Sequence, residues 1–208
     1  MAEVAVLDGI REGIRRGEFV PGQRLVEADL MERFAAGRAG VRQALADLAA
    51  EGLVERVPNK GARVRVVEVA EAVEITECRM ALEGLCAAKA AARATAADRD
   101  DLTGLLSRMR AAVEAGDPLG YSDLNHLLHG RILEISGQRT AVATIERLRG
   151  QLVRHQFRLA LRPDRPQRSL AEHERVVAAV LAGDPEAAEA AMRDHLRHVI
   201  EALAAGDR

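Results

Sequence analysis

Six histidines occur in this chain, and all of them lie beyond residue 125. Placed on helices at about 100° per residue, they separate by face. In the stretch 118–136 the apolar stripe is Tyr121, Leu124, Leu128, Ile132 and Ile135. Asn125 and His129 sit one turn apart on its border, and His126 points nearly opposite. His173 lies inside the stripe of Leu170, Val177 and Leu181. His195 borders the stripe of Met192, Leu196, Val199 and Leu203, with His198 turned further away. Three imidazoles and an amide from three helices can therefore converge on one interior point. Imidazole is the commonest protein ligand for transition metals, so a divalent ion is one reading, and hydrogen-bonded core histidines are the other. His155 falls on the stripe of Leu148, Leu152 and Leu159, where it packs in the core or lines a pocket.

A second constellation is cationic. Val41, Leu45, Leu48 and Ala49 put an apolar stripe on one helix and leave Arg38, Arg42 and Gln43 open at its start. Arginine there can fork onto guanine O6 and N7 or hold a phosphate, which helix N-terminal amides also favour. Downstream, Val54 to Arg56 and Ala62 to Val66 read as strands flanking Pro58-Asn59-Lys60-Gly61. Lys60 and Gly61 at that tip are placed to reach a neighbouring minor groove, Gly allowing close backbone approach.

The elements around these residues predict a mainly α protein. Val6, Ile10 and Ile14 mark an opening helix that stops near Gly17, before Pro21-Gly22; Glu27 to Phe34 forms a second helix with Leu30, Met31 and Phe34 inward. Together with the arginine helix and the hairpin they make a winged helix-turn-helix over residues 1–66. Residues 67–70 read as a linker. Residues 71–208 read as an all-α helical bundle, with helices near 71–93, 97–115, 118–136, 139–161, 168–182 and 185–204.

Composition bounds the alternatives. Residues 1–66 hold 11 Lys and Arg against 10 Asp and Glu, a net of +1, so duplex binding must rest on local arginine placement and on pairing of two chains. With no Trp and 2% aromatic residues, base stacking on single strands is implausible. Cys78 and Cys86 lack CxxC spacing and predict no disulfide. No secretory segment is evident and no run nears the roughly 20 apolar residues that span a bilayer, so the expected setting is cytoplasmic, away from the membrane.

Residues 7–66 resemble the DNA-binding domain of the GntR family of bacterial transcription regulators, through GxxxPGxxL (Gly17 to Leu25), Arg38-Ala39-Gly40-Val41-Arg42 running on to Glu51-Gly52-Leu53, and Pro58-x-x-Gly61. The resemblance implies that Arg38 and Arg42 are the main groove contacts, and Lys60 and Gly61 the wing contacts. The chain departs from the family pattern at Gly37, Ala39 and Gly40, where a hydroxyl cap and a first-turn proline are usual, a loss of about 1 kcal/mol in local stability. Ala28 and Gln43 also replace residues frequent in the family.

Residues 71–204 are similar to the helical effector domain of the FadR-type branch, called FCD. The matching pieces are Asn125-x-x-x-His129, Ser136-Gly137-Gln138, Glu172-His173 with Ala179 to Asp184, and Met192 to Leu196. This resemblance implies that Asn125, His129, His173 and His195 ligate a divalent transition metal. Such a donor set suits Zn²⁺ or Ni²⁺ and adds no negative charge, so the ion would attract an anion. A small carboxylate effector is expected at the open positions. Arg79 is a plausible second anchor, since Arg79-x-x-Leu82-Glu83 resembles the family's RxxLE; a simple pair with Glu83, four residues on, is the alternative. The expected whole is a homodimeric regulator, not an enzyme, that binds a palindromic double-stranded operator and responds to a small acid. A metal-dependent hydrolase, or a constitutive repressor with a purely structural histidine cluster, are the other readings. Only Glu172 or Glu174 stands where a general base could act.

Overall fold

The computed structural model describes residues 2–57 and 61–205. It divides into two compact units, Met1–Glu68 with Arg149–Arg154, and Val69–Leu148 with His155–Arg208. The fold is mainly α, as expected, with one small sheet.

In the first unit α1 (Ala2–Arg15) leads to β1 (Arg24–Leu25), α2 (Glu27–Arg33), α3 (Arg38–Ala50), β2 (Val54–Val57) and β3 (Gly61–Val64). Val6, Ile10 and Ile14 of α1 meet Leu30 of α2 and Val41, Leu45 and Leu48 of α3 in one apolar core, closed by Val54, Ala62 and Val64. Their 3.6-residue and two-residue spacings are what place them on one side of each element. The sheet runs β1-β3-β2, all antiparallel, with Leu25 opposite Ala62 and Val54 opposite Val64. The hairpin was expected, whereas β1 was not: two residues are too few to show a period. Gly61 opens β3 at φ +85°, and a Cβ there would stand 2.9 Å from the Leu25 carbonyl oxygen, so only glycine fits the turn into β3. Lys60, with Pro58 and Asn59, lies outside the described residues.

The second unit contains α4 (Val69–Arg93), α5 (Ala96–Glu114), α6 (Pro118–Ser136), α7 (Arg139–Gln151), α8 (Val153–Ala160), α9 (Arg165–Ala182) and α10 (Pro185–Ala204), apart from Arg149–Arg154 at the α7–α8 junction, which belongs to the first unit. Boundaries follow local chemistry. Thr95 and Asp98 form a capping box on α5, Asp117 and Asp184 cap α6 and α10 ahead of Pro118 and Pro185, and Gly137 and Gly183 end α6 and α9 in left-handed conformation. Arginines from elsewhere in the unit satisfy terminal carbonyls: Arg93 donates to Ser136 O and Arg99 to Leu181 O, both at 2.6 Å.

One expected helix, 139–161, is two. The chain turns at buried Leu152, whose amide bonds to Arg149 O at 3.0 Å, and Gly150 beside the break is a weak helix former. α9 begins at Arg165, earlier than expected, on Pro166 in its first turn. The core joins Ala87, Ala90 and Ala91 of α4 to Leu102 and Met109 of α5, Leu128 and Ile132 of α6, Val176 and Val180 of α9, and Met192 of α10. Small residues on α4 let α10 run close along it; a Cβ on Gly84 would lie 2.9 Å from Arg193 Cγ.

Candidate metal centre and nucleic-acid interface

α3 starts at Gly37, which offers no side-chain cap, in keeping with the missing hydroxyl. Its apolar stripe turns Gly40, Val41, Ala44, Leu45 and Leu48 inward and leaves Arg38, Arg42 and Gln43 exposed. Arg42 Nε lies 3.0 Å from both carboxylate oxygens of Glu27, and Gln43 donates to Asp47 at 2.8 Å. Beside α3 a cleft of about 690 Å³ is walled by Arg24 of β1, Arg42, Arg56 of β2, Glu27 and Gly61. Three cations against one anion give this face a positive field although the unit as a whole is nearly neutral.

The other constellation lies wholly inside the second unit. His129 of α6, His173 of α9 and His195 of α10 are 1%, 0% and 3% exposed, and one ring nitrogen from each lies within 4.8 Å of the others. His129 Nε2 is 3.0 Å from His173 Nε2, and the His173 and His195 ring centres are 4.3 Å apart. Asn125, one turn before His129, has a buried Oδ1 that meets no hydrogen-bond donor among the described residues.

Each imidazole is held from behind. His129 Nδ1 donates to Glu83 Oε2 of α4 at 2.6 Å, while Glu83 Oε1 accepts from Arg79 Nε at 2.9 Å. His195 Nδ1 donates to Glu172 Oε2 of α9 at 2.7 Å, and Arg165 lies on the same carboxylate at 3.2 Å. His198 Nδ1 stands 3.1 Å from Glu172 Oε1, within ion-pair distance but not aligned for a hydrogen bond. His173 Nδ1 faces hydroxyls instead, Tyr121 at 3.1 Å and Ser169 at 3.4 Å.

A carboxylate only accepts, so a neutral ring bonded to one through Nδ1 must carry its hydrogen there and a lone pair on Nε2. At least two Nε2 lone pairs are therefore left on the side away from the carboxylates, where one ring nitrogen from each histidine lies within 4.8 Å of the others. This is the donor arrangement a divalent cation needs. Protonation is also disfavoured. Burial, then the neighbouring imidazoles, pushes His173 well below the usual range for histidine, and burial lowers His195 despite Glu172. Burial alone would raise Glu172, but the bonds and charges of His195 and Arg165 hold it below the ordinary carboxylate value. Burial pushes the Tyr121 phenol up, so it stays a hydroxyl. The three histidines could hold a metal ion.

Of the residues singled out from the sequence, His129, His173 and His195 are brought together. Arg79 is buried and paired with Glu83, and His155 is buried on α8. Glu83 and Glu172 as imidazole partners, with Arg165, Tyr121 and Ser169, were not legible as part of the site. Glu83 was visible only as a partner for Arg79. Glu174 is half-buried and paired with Arg110.

Residues 3–64 match the model of bacterial regulatory proteins of the gntR family, and residues 74–198 match the FCD domain. The chain is 32% identical to the HTH-type transcriptional repressor GlaR of Escherichia coli over 93% of each protein. It is 26% identical to the Glc operon transcriptional activator of Escherichia coli, across 95% of this chain and 84% of that protein. Among solved structures, E. coli McbR/YncC superposes with a TM-score of 0.86 at 23% identity, over 100% of this chain and 99% of that one, a likeness of fold. The relatives are transcription regulators, which removes the hydrolase alternative. No described helix is long and apolar enough to cross a membrane. A helix-turn-helix unit carrying exposed arginines, a helical unit with a buried histidine cluster, and family matches to both together establish that the chain belongs to the GntR family as a transcriptional regulator with an FCD domain.

Proposed function

We propose that the chain is a ligand-responsive regulator that binds a palindromic operator as a homodimer, working in the cytoplasm where its DNA is. Residues 1–66 form the DNA-binding domain, 67–70 the joint and 71–208 the effector domain. α3 enters the major groove with Arg38, Arg42 and Gln43 on base edges or phosphates, and Lys60 and Gly61 contact the flanking groove. In the second unit Asn125, His129, His173 and His195 hold a divalent ion, Zn²⁺ or Ni²⁺ by donor type. A bound ion supplies positive charge and open coordination positions for a small carboxylate, the effector. His155 borders that ligand. Occupation of the site and occupation of the operator are reciprocally coupled.

The observation that carries this reading is the convergence of three buried imidazoles whose outer nitrogens are already engaged, two of them on carboxylates. The test is metal analysis of protein purified without chelator, followed by melting with and without a panel of small acids. The reading expects about one divalent ion per chain and an acid-dependent rise in Tm. Protein that takes up no divalent ion, or melts identically with every acid, contradicts it.

A further inference from the structure

The three imidazoles are not held alike, and the difference has a chemical meaning. Glu83 is buried, with Arg79 on one oxygen and His129 on the other. Glu172 is shared between Arg165 and His195. In both cases the carboxylate's charge is balanced by a guanidinium, so it can act as an acceptor without adding net charge. His173 alone rests on hydroxyls, and a hydroxyl can donate or accept.

We propose that Glu83 and Glu172, clamped by Arg79 and Arg165, are positioning residues that fix the hydrogens of His129 and His195 on Nδ1, while the Tyr121–Ser169 hydroxyl pair leaves His173 free to exchange tautomers. Arg79 thereby acts through Glu83 on the ring of His129. In the metal-free protein His129 presents a lone pair 3.0 Å from His173 Nε2, so His173 must carry its hydrogen on Nε2 and donate it. His173 Nδ1 then accepts from the Tyr121 hydroxyl. For all three Nε2 lone pairs to face a cation, the His173 hydrogen must move to Nδ1. Tyr121 then switches from donor to acceptor and turns its own hydrogen away from the ring, toward the neighbouring Ser169 hydroxyl that also faces His173 Nδ1. Hydrogens are conserved: one leaves Nε2, one arrives at Nδ1, and none is released.

The metal-related part rests on the reading of the cluster as a metal site, whereas the tautomers of the metal-free protein do not. The experiment is ¹⁵N–¹H long-range correlation of the histidine rings in metal-free and Zn²⁺-loaded protein, with Zn²⁺ affinity by chelator competition for wild type, Glu83→Gln, Glu172→Gln and Tyr121→Phe. The metal-free spectrum is expected to place hydrogens on Nδ1 of His129 and His195 and on Nε2 of His173, and only His173 to change on loading. An amide can donate as well as accept, so each glutamine variant should mix tautomers at its own histidine and weaken Zn²⁺ roughly 10–100-fold. Tyr121→Phe should instead alter His173 alone. An Nε2 hydrogen on His129 or His195 in wild type overturns the proposal whether or not any variant folds. So do glutamine variants that are folded by circular dichroism and bind Zn²⁺ as wild type does. If wild type binds no Zn²⁺, the metal reading fails, and the metal-free spectrum alone decides the tautomers.

Discussion

The Arg42 guanidinium at the start of α3 lies against the Glu27 carboxylate of α2, its Nε 3.0 Å from both oxygens. The pair is substantially exposed, so it contributes little to folding, about 0–1 kcal/mol. Its consequence is for recognition, since Glu27 both aims Arg42 and places an anion in the cleft that Arg24, Arg42 and Arg56 line. Glu27→Gln should leave Tm nearly unchanged. Binding to random duplex should tighten and the ratio of operator to random affinity should fall, by roughly 3–10-fold, as non-specific binding is electrostatic. Fluorescence anisotropy with both duplexes measures this; an unchanged ratio contradicts the role given to Glu27.

Arg38→Ala and Arg42→Ala separate base reading from phosphate holding. An arginine forked onto guanine is worth about 1–3 kcal/mol of discrimination, so its loss should relax preference at one operator position. Removing a phosphate anchor instead weakens binding to all sequences alike and lowers the salt slope by about one. Wild-type operator affinity in both variants would remove α3 from the interface.

In the proposed site Asn125 offers a neutral oxygen where a carboxylate could stand. Asn125→Asp adds a negative charge, so divalent-ion affinity should rise, on the order of tenfold, as attraction to the cation grows in a poorly solvated interior. Affinity of the loaded protein for a carboxylate should fall for the same reason. Calorimetric titration of metal, then of acid, reads both signs; movement of the two in the same direction contradicts the placement of Asn125.

Acid sensitivity follows from the buried rings. An unfolded imidazole takes its proton near pH 6.5. His173 and His195 in the fold take theirs only at lower pH, chiefly because burial disfavours the charged ring. The unfolded chain therefore binds more protons below about 6.5, so their contribution is complete above that value and is lost as pH falls through the folded values. Glu172, lowered in the fold, adds a loss of the same sign at more acid pH. Metal-free protein should melt lower at about pH 5.5 than at about pH 7.5, and a Tm that rises on acidification would contradict the burial of these rings.

Much of this was readable from residue spacing. The stripes of α1, α3, α6 and α10, and the aspartate and proline punctuation between helices, are local signals that tertiary packing did not override. One histidine inside its helix's stripe and two on the borders of theirs, on separate helices, were enough to suggest a shared interior point. Other features were set by partners far along the chain. Leu25 pairs with Ala62, so β1 exists because β3 does. Glu83 reads as one half of an i,i+4 pair, and its second oxygen finds His129, 46 residues away, only once α4 and α6 are packed. Glu172 and His173, adjacent in sequence, point to different neighbours because they are 100° apart on α9. The break at Leu152 interrupts a continuous helical period, and no residue there forbids a helix outright.

The central claim is that the buried histidine site governs grip on DNA. Its most direct test is the affinity of the metal-loaded protein for labelled operator, with and without a carboxylate already found to raise Tm. A change of about 5–150-fold is predicted, the usual range of coupling between sites, and it should vanish in His173→Ala. Equal operator affinity with the acid bound and absent would contradict the account.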